Sequence, residues 1–178
     1  MSSGRDIRKI GSGNIGATNV HRTLGRKAGV IVLLLDVLKG FAAVWIGALI
    51  SHGDPIALGA AALAVMAGHC YPILLRFRGG KAVACYIGAF LYLAPLSLAV
   101  AAVVFIGVVA LTKYISLASI AGALVLPFAM WFLSRPPMPI LWASIAAALL
   151  IVHRHKGNIA RIVAGNERVF SFKGGGAP

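Results

Sequence analysis

Acid is the scarcest ingredient of this 178-residue chain: Asp6, Asp36, Asp54 and Glu167 stand against 17 lysines and arginines, a formal net charge of +13. Charged residues make up only 12% of the sequence, about half the share a soluble domain carries. With 60% hydrophobic residues and a mean hydropathy of +0.90, an ordinary water-soluble domain is excluded. Cysteine is scarce as well. Cys70 and Cys85 form neither a C-x-x-C nor a metal spacing, so both are expected as small buried apolar residues, and no metal or cofactor is expected. The N-terminus MSSGRDIRKIGSG lacks an apolar core and carries Arg5, Arg8 and Lys9, which excludes a signal peptide or an anchor there. No internal repeat is apparent.

What the chain has instead is long apolar runs, of a length that crosses a hydrocarbon core of about 30 Å. Gly29 to Ile50 is the first, broken only by Asp36 and Lys39, which lie three apart on one helical face and can neutralise each other. Ile56 to Leu75 is the second, after the polar turn SHGDP. Ala82 to Thr112 is 31 residues, a helix of about 46 Å, too long for one crossing and short for two ordinary ones. Ala94-Pro95 near its middle is a natural break. Leu117 to Leu133 and Met138 to Val152 complete the set.

Charge placement decides how the ambiguous run is divided. Two passes put fifteen of the seventeen cations on one side, leaving Arg135 opposite and Lys39 within a span. One pass would place the C-terminal cations opposite the N-terminal ones, against the tendency of cations to stay cytoplasmic. The chain therefore reads as an all-α polytopic bundle of about six spans with both termini cytoplasmic. Residues 1–170 form one membrane domain and 171–178 a flexible tail. The halves of the split run, Ala82 to Leu93 especially, must be short helices shielded by neighbours. The charge excess then belongs to an integral membrane protein rather than to a nucleic-acid binder, and membrane lipids are its surroundings.

GSGNIG, Gly11 to Gly16, fits the pattern G-x-G-x-x-G, but no strand precedes it and no βαβ pattern follows, so a dinucleotide site is excluded. The same residues suit an anion, with Ser12, Asn14, Thr18 and Asn19 as donors and Arg22 close behind. Two further polar clusters fall on the same face. GHCYPILLRFRGGKA presents Lys81 after Gly79-Gly80 at the start of an apolar helix, where positive charge costs stability unless an anion binds. HRHKGNIARIVAGN sets His155, Asn158 and Arg161 at three-residue spacing on one helical face. Lys113, Ser116 and Ser119 join that side, while His69 reads as a packed or hydrogen-bonded core histidine.

These three stretches, together with LDVLKG and ISLAS, resemble the signature loops of the bacterial membrane acyl-phosphate:glycerol-3-phosphate acyltransferases, in order from about Gly4 to Glu167. The resemblance implies transfer of a fatty acyl group from acyl phosphate to the 1-hydroxyl of glycerol 3-phosphate, giving lysophosphatidic acid and phosphate in phospholipid synthesis. It implies catalytic roles for Ser12, Arg22, Lys81, His155 and Asn158. It also implies substrate contacts at Gly13, Asn14, Thr18, Asn19, Gly79, Gly80, Ser119 and Arg161. No obligate protein partner is implied. Two departures stand out: Gly157 occupies a place where the family often has Glu, and the family's additional first helix, with a Gly-Ser motif, has no counterpart here. Seven spans are expected of the family against six here, as in a fragment or a chain begun at an internal methionine.

None of the five histidines has an acid five residues on, the spacing of the common lipid acyltransferase dyad. An acyl phosphate already carries a good leaving group, so electrostatic stabilisation by Arg22 and Lys81 suffices in its place. The alternatives are a non-catalytic carrier of anions or organophosphates and an inactive truncated homologue. Carriers place charge near the midplane and show related halves, neither of which is seen here.

Overall fold

The computed structural model describes residues 6–170; the proposed tail, 171–178, and Arg5 lie outside the described residues. Among the described residues eight α-helices follow one another: α1 (Ala17–Leu24), α2 (Arg26–Ser51), α3 (Pro55–Cys70), α4 (Val83–Leu93), α5 (Pro95–Thr112), α6 (Ile115–Ala129), α7 (Met138–Arg154) and α8 (Lys156–Val163). No strand occurs among the described residues.

Local signals set the boundaries. The Asp54 carboxylate accepts from the Ala57 N–H at 2.8 Å and caps α3, whose first residue is Pro55. Pro95 opens α5 directly after α4, so the break falls at Ala94-Pro95 as expected. Pro127 lies inside α6 and supplies no N–H. The helix loosens just beyond it into a π-turn, Met130–Ser134, closed by the Arg135 N–H on the Met130 carbonyl at 2.7 Å.

Among the described residues four stretches are long and apolar enough to span a membrane: Arg26–Ser51, Pro55–Leu75, Pro95–Thr112 and Ile115–Ser134. Met138–Arg154 with Lys156–Val163, bent by 56°, makes a fifth. α4 has only 11 residues, about 16 Å of helix and half a hydrocarbon core. It is the short shielded helix expected of Ala82 to Leu93. It touches α2, α3, α5 and α7 and buries Cys85, Tyr86, Gly88, Ala89 and Phe90.

Close approach of α2 and α4 depends on two glycines used reciprocally. A Cβ on Gly40 would strike the Cys85 carbonyl, and one on Gly88 the Val37 carbonyl. Small residues let backbones meet where no hydrophobic force separates helix from lipid. The buried Tyr86 hydroxyl donates to the Ala123 carbonyl at 3.0 Å, tying α4 to α6. Outside, the polarity is that of a membrane protein: Ile31, Leu34, Leu35 and Leu38 of α2 stand exposed, a surface for lipid rather than water.

Candidate functional site

The three polar clusters meet at one end of the bundle around a cavity of about 570 Å³. Gly11, Ser12 and Asn14 line it from the first loop, and Tyr71 and Lys81 from the second. His153, Arg154, Lys156, Gly157, Asn158, Arg161 and Arg168 close it from the third. Both ends of the 82–112 run reach this end: Lys81 donates to the Asn158 amide oxygen, and the Lys113 carbonyl accepts the Phe170 N–H at 2.9 Å.

The first loop is held by one buried side chain. Asn19 accepts the Ser12 N–H at 2.8 Å and donates to the carbonyls of Asn14 at 2.8 Å, Ile10 at 3.2 Å and Ile7 at 3.4 Å. A Cβ on Gly11, whose φ is +62°, would collide with that amide, so the first glycine makes room for the brace. Asn19 thus shapes the loop and is absent from the cavity wall. Exposed Thr18 is absent from it too. The Gly13 N–H is spent on the Ile10 carbonyl and the Gly16 N–H on the Asn14 side chain, which leaves fewer loop amides for an anion than the glycines suggest.

The second loop is a strained turn clamped from both sides. Arg76, Phe77 and Ala82 all have left-handed backbone angles, a cost of about 1–3 kcal/mol for each non-glycine residue. The Gly79 N–H donates to the Cys70 carbonyl at 3.2 Å and the Gly80 N–H to the His69 carbonyl at 3.0 Å. Arg154 holds the carbonyls of Gly79 and Gly80, at 3.2 and 3.1 Å, while its guanidinium lies 5.1 Å from the Tyr71 ring centroid. Both glycines are therefore buried structural elements of the turn, and their N–H groups are engaged within the protein. Lys81 is what the turn delivers to the cavity.

In the third cluster, α7 and α8 bend at His155. His155 is buried and its Nδ1 donates to the Ile151 carbonyl at 2.8 Å, which places it behind the cavity wall rather than on it. Asn158 and Arg161 do face the cavity and share a carboxylate that sequence reasoning missed. Glu167 accepts from Asn158 Nδ2 at 2.6 Å, Ser116 Oγ at 2.8 Å and Arg161 Nε at 2.8 Å. Ser119, by contrast, donates to the Ile115 carbonyl at 2.8 Å within its own helix. The signal for Glu167 was its isolation, the one acid beyond Asp54 in a strongly basic chain.

Charge is strongly unbalanced here. Burial pushes the Lys81 ammonium down to about 8, Glu167 opposes that shift, and Arg161, Arg154 and Arg22 reinforce it. Burial alone would raise the Glu167 carboxyl, but hydrogen bonds from Asn158, Ser116 and Arg161 outweigh it and hold the group below the ordinary carboxylate range. Burial lowers Arg22 as well, with Arg168 adding to the shift. One carboxylate among this many cations leaves a net positive cavity suited to an anion.

A second polar group lies in the bundle. The Lys39 ammonium donates to Asp36 Oδ1 at 2.8 Å, as the spacing predicted, and meets His69 Nδ1 at 3.1 Å. The ligating atoms of Asp36, His69 and Cys85 lie within 4.8 Å of one another, yet Lys39 already supplies the cation between Asp36 and His69.

Fold and cavity together define a polytopic helical membrane protein with a cationic site at one end of the bundle. The family model described as glycerol-3-phosphate acyltransferase matches residues 1–165. A glycerol-3-phosphate acyltransferase of Desulforamulus reducens is 47% identical over 164 residues, covering 92% of this chain and 81% of the relative. One from Geobacter sulfurreducens is 44% identical over 169 residues, covering 95% and 86%. A solved structure of PlsY (YgiH), an integral membrane glycerol 3-phosphate acyltransferase in its glycerol 3-phosphate form, superposes with a TM-score of 0.90 at 39% identity. It covers 96% of this chain and 84% of that one. The lysophosphatidic acid form of the same enzyme gives 0.85 at 38% identity, covering 92% and 83%. The chain belongs to the glycerol-3-phosphate acyltransferase family and is an integral membrane acyltransferase.

Proposed function

We propose that this enzyme takes its acyl group from acyl phosphate and delivers it to the 1-hydroxyl of glycerol 3-phosphate, releasing lysophosphatidic acid and inorganic phosphate for phospholipid synthesis. The observation that carries this reading is the cavity: Lys81, Arg154, Arg161 and Arg168 converge on it, with Glu167 as the neighbouring carboxylate. Two phosphorylated substrates require such an excess of positive charge, and glycerol 3-phosphate is the ligand in one form of the related PlsY structure. The cation distribution supports a cytoplasmic face of the bacterial plasma membrane.

In this mechanism the glycerol hydroxyl oxygen attacks the acyl carbonyl carbon. The bond from that carbon to the phosphate oxygen breaks, and the phosphate leaves with the electron pair. The hydroxyl proton passes to a phosphate oxygen of the substrate, so no protein base is needed. Lys81 stabilises the developing phosphate charge from the cavity wall, Arg22, which is absent from that wall, adds positive potential beside Arg161 and Arg168, Ser12 and Asn14 hold the first loop against substrate, and Arg161 binds anionic oxygen. Asn158 aligns Lys81 through the bond between them. His155, bonded to Ile151, supports the α7–α8 bend from behind, a positioning role.

Membranes containing the enzyme, given acyl phosphate and labelled glycerol 3-phosphate, are expected to form labelled lysophosphatidate with one phosphate released per turnover. Product formed only when acyl thioesters replace acyl phosphate overturns the donor assignment. Uptake of label without product overturns the reaction.

A further inference from the structure

An ion pair within a span is expensive to keep even with Lys39 half-exposed, and Asp36 with Lys39 is absent from the cationic cavity. The simplest account is helix adhesion, since Lys39 of α2 reaches His69 of α3. What adhesion leaves unexplained is the far side of the histidine. The His69 ring lies so close to Gly80 that a Cβ there would fall inside van der Waals contact with three ring atoms. The carbonyl of the same residue accepts the Gly80 N–H at 3.0 Å. One residue thus grips Gly80 by ring and backbone together, and the next residue is Lys81.

The grip has to come from outside the turn, because left-handed Arg76, Phe77 and Ala82 make it a conformation the chain does not hold unaided. Arg154 secures the two glycine carbonyls. His69 secures the opposite side, and packing does not clamp its ring completely. It borders a largely apolar pocket of about 410 Å³ shared with Ile15, Val65, Gly68 and Leu75. Its orientation therefore depends on polar partners: Lys39 Nζ at 3.1 Å from Nδ1, and Asp36 Oδ1 at 2.8 Å from that ammonium and 3.4 Å from the ring nitrogen.

We propose that Asp36, Lys39 and His69 form a positioning network inside the membrane that fixes the Gly79–Gly80 turn and thereby aims Lys81 into the phosphate cavity. Asp36 orients the Lys39 ammonium, Lys39 orients the His69 ring, and the ring sets Gly80, with Lys81 one peptide unit of about 3.8 Å farther on. Displacing a charge-stabilising group by about 1 Å costs on the order of 10²-fold in rate, so a small rotation of the ring is enough. The network rests on the assignment of Lys81 as a stabiliser of phosphate charge.

The test is a double-mutant cycle on kcat/KM for glycerol 3-phosphate, with Asp36→Asn, Lys81→Ala and both together, each normalised to folded enzyme by size-exclusion chromatography. Asp36→Asn is expected to reduce kcat/KM at least tenfold in the wild-type background and by less than about twofold when Lys81 is already alanine. A tenfold loss in both backgrounds means the pair acts on stability or elsewhere in the site, and overturns the network while leaving Lys81 in its role. Near-normal turnover by Lys81→Ala alone overturns the Lys81 assignment and the network with it. If Asp36→Asn does not insert, Asp36→Asn with Lys39→Met leaves no unpaired charge in the span and completes the same cycle.

Discussion

Lys81 offers the most direct probe of the site because its ammonium is held at about 8, well below the ordinary lysine value of about 10.4. A displacement of that size corresponds to about 3 kcal/mol against the charged form, an order-of-magnitude cost imposed first by burial and then by the neighbouring guanidinium groups. The folded value is depressed, so this group's contribution to stability is complete above the unfolded pKa and is lost as pH falls through about 8. At neutral pH the empty enzyme therefore bears the cost of a charged lysine, which a bound phosphate offsets. Activity follows the opposite direction, since an uncharged amine cannot stabilise developing phosphate charge. In the free enzyme kcat/KM for glycerol 3-phosphate is expected to fall by half near pH 8 and about tenfold by pH 9. The assay is lysophosphatidate formation between about pH 6.5 and 9.5, with spontaneous acyl phosphate hydrolysis subtracted. Lys81→Arg keeps its charge throughout that range, so at its own lower rate it should lose the alkaline limb. An alkaline limb unchanged in Lys81→Arg would show that another group titrates and would refute this account of Lys81.

Glu167→Ala removes the acceptor shared by Ser116, Asn158 and Arg161 and should lower stability by about 1.5–3 kcal/mol, the range for a hydrogen-bonded charge. Thermal unfolding in detergent measures this, and an unchanged midpoint would count against Glu167 as a structural tie. Asn19→Ala deletes one accepted and three donated loop hydrogen bonds, and is expected to raise KM for glycerol 3-phosphate about tenfold with little change in kcat. A lowered kcat at normal KM would instead make Asn19 a participant in the chemistry.

Hydrophobic runs, prolines and cation placement were enough to anticipate the bundle, because each is a local signal: Pro95 ends one helix and begins another whatever surrounds it. The pairing of Asp36 with Lys39 was equally legible, being three residues apart on one helix. Direction within the site was not. Asn19 and Gly79-Gly80 carry the residue types of an anion loop, yet their polar groups turn inward to hold the loops, a choice made by partners far along the chain. Arg154 was hidden in a run of cations until its reach to residues 79 and 80 gave it a distinct role. His155 and Ser119 show the same limit, since helical spacing gives a face but not whether a side chain bonds to its own backbone instead.

The buried amide of Asn19 bears on how fast the enzyme fills. Because the first loop reaches its shape through contacts made within the protein, its ordering entropy is spent during folding and not at each encounter with substrate. Arrival of an anion is then governed by diffusion and by attraction to the surrounding cations, a process that salt slows and that needs no loop closure. On that account the mouth is already shaped before an anion arrives.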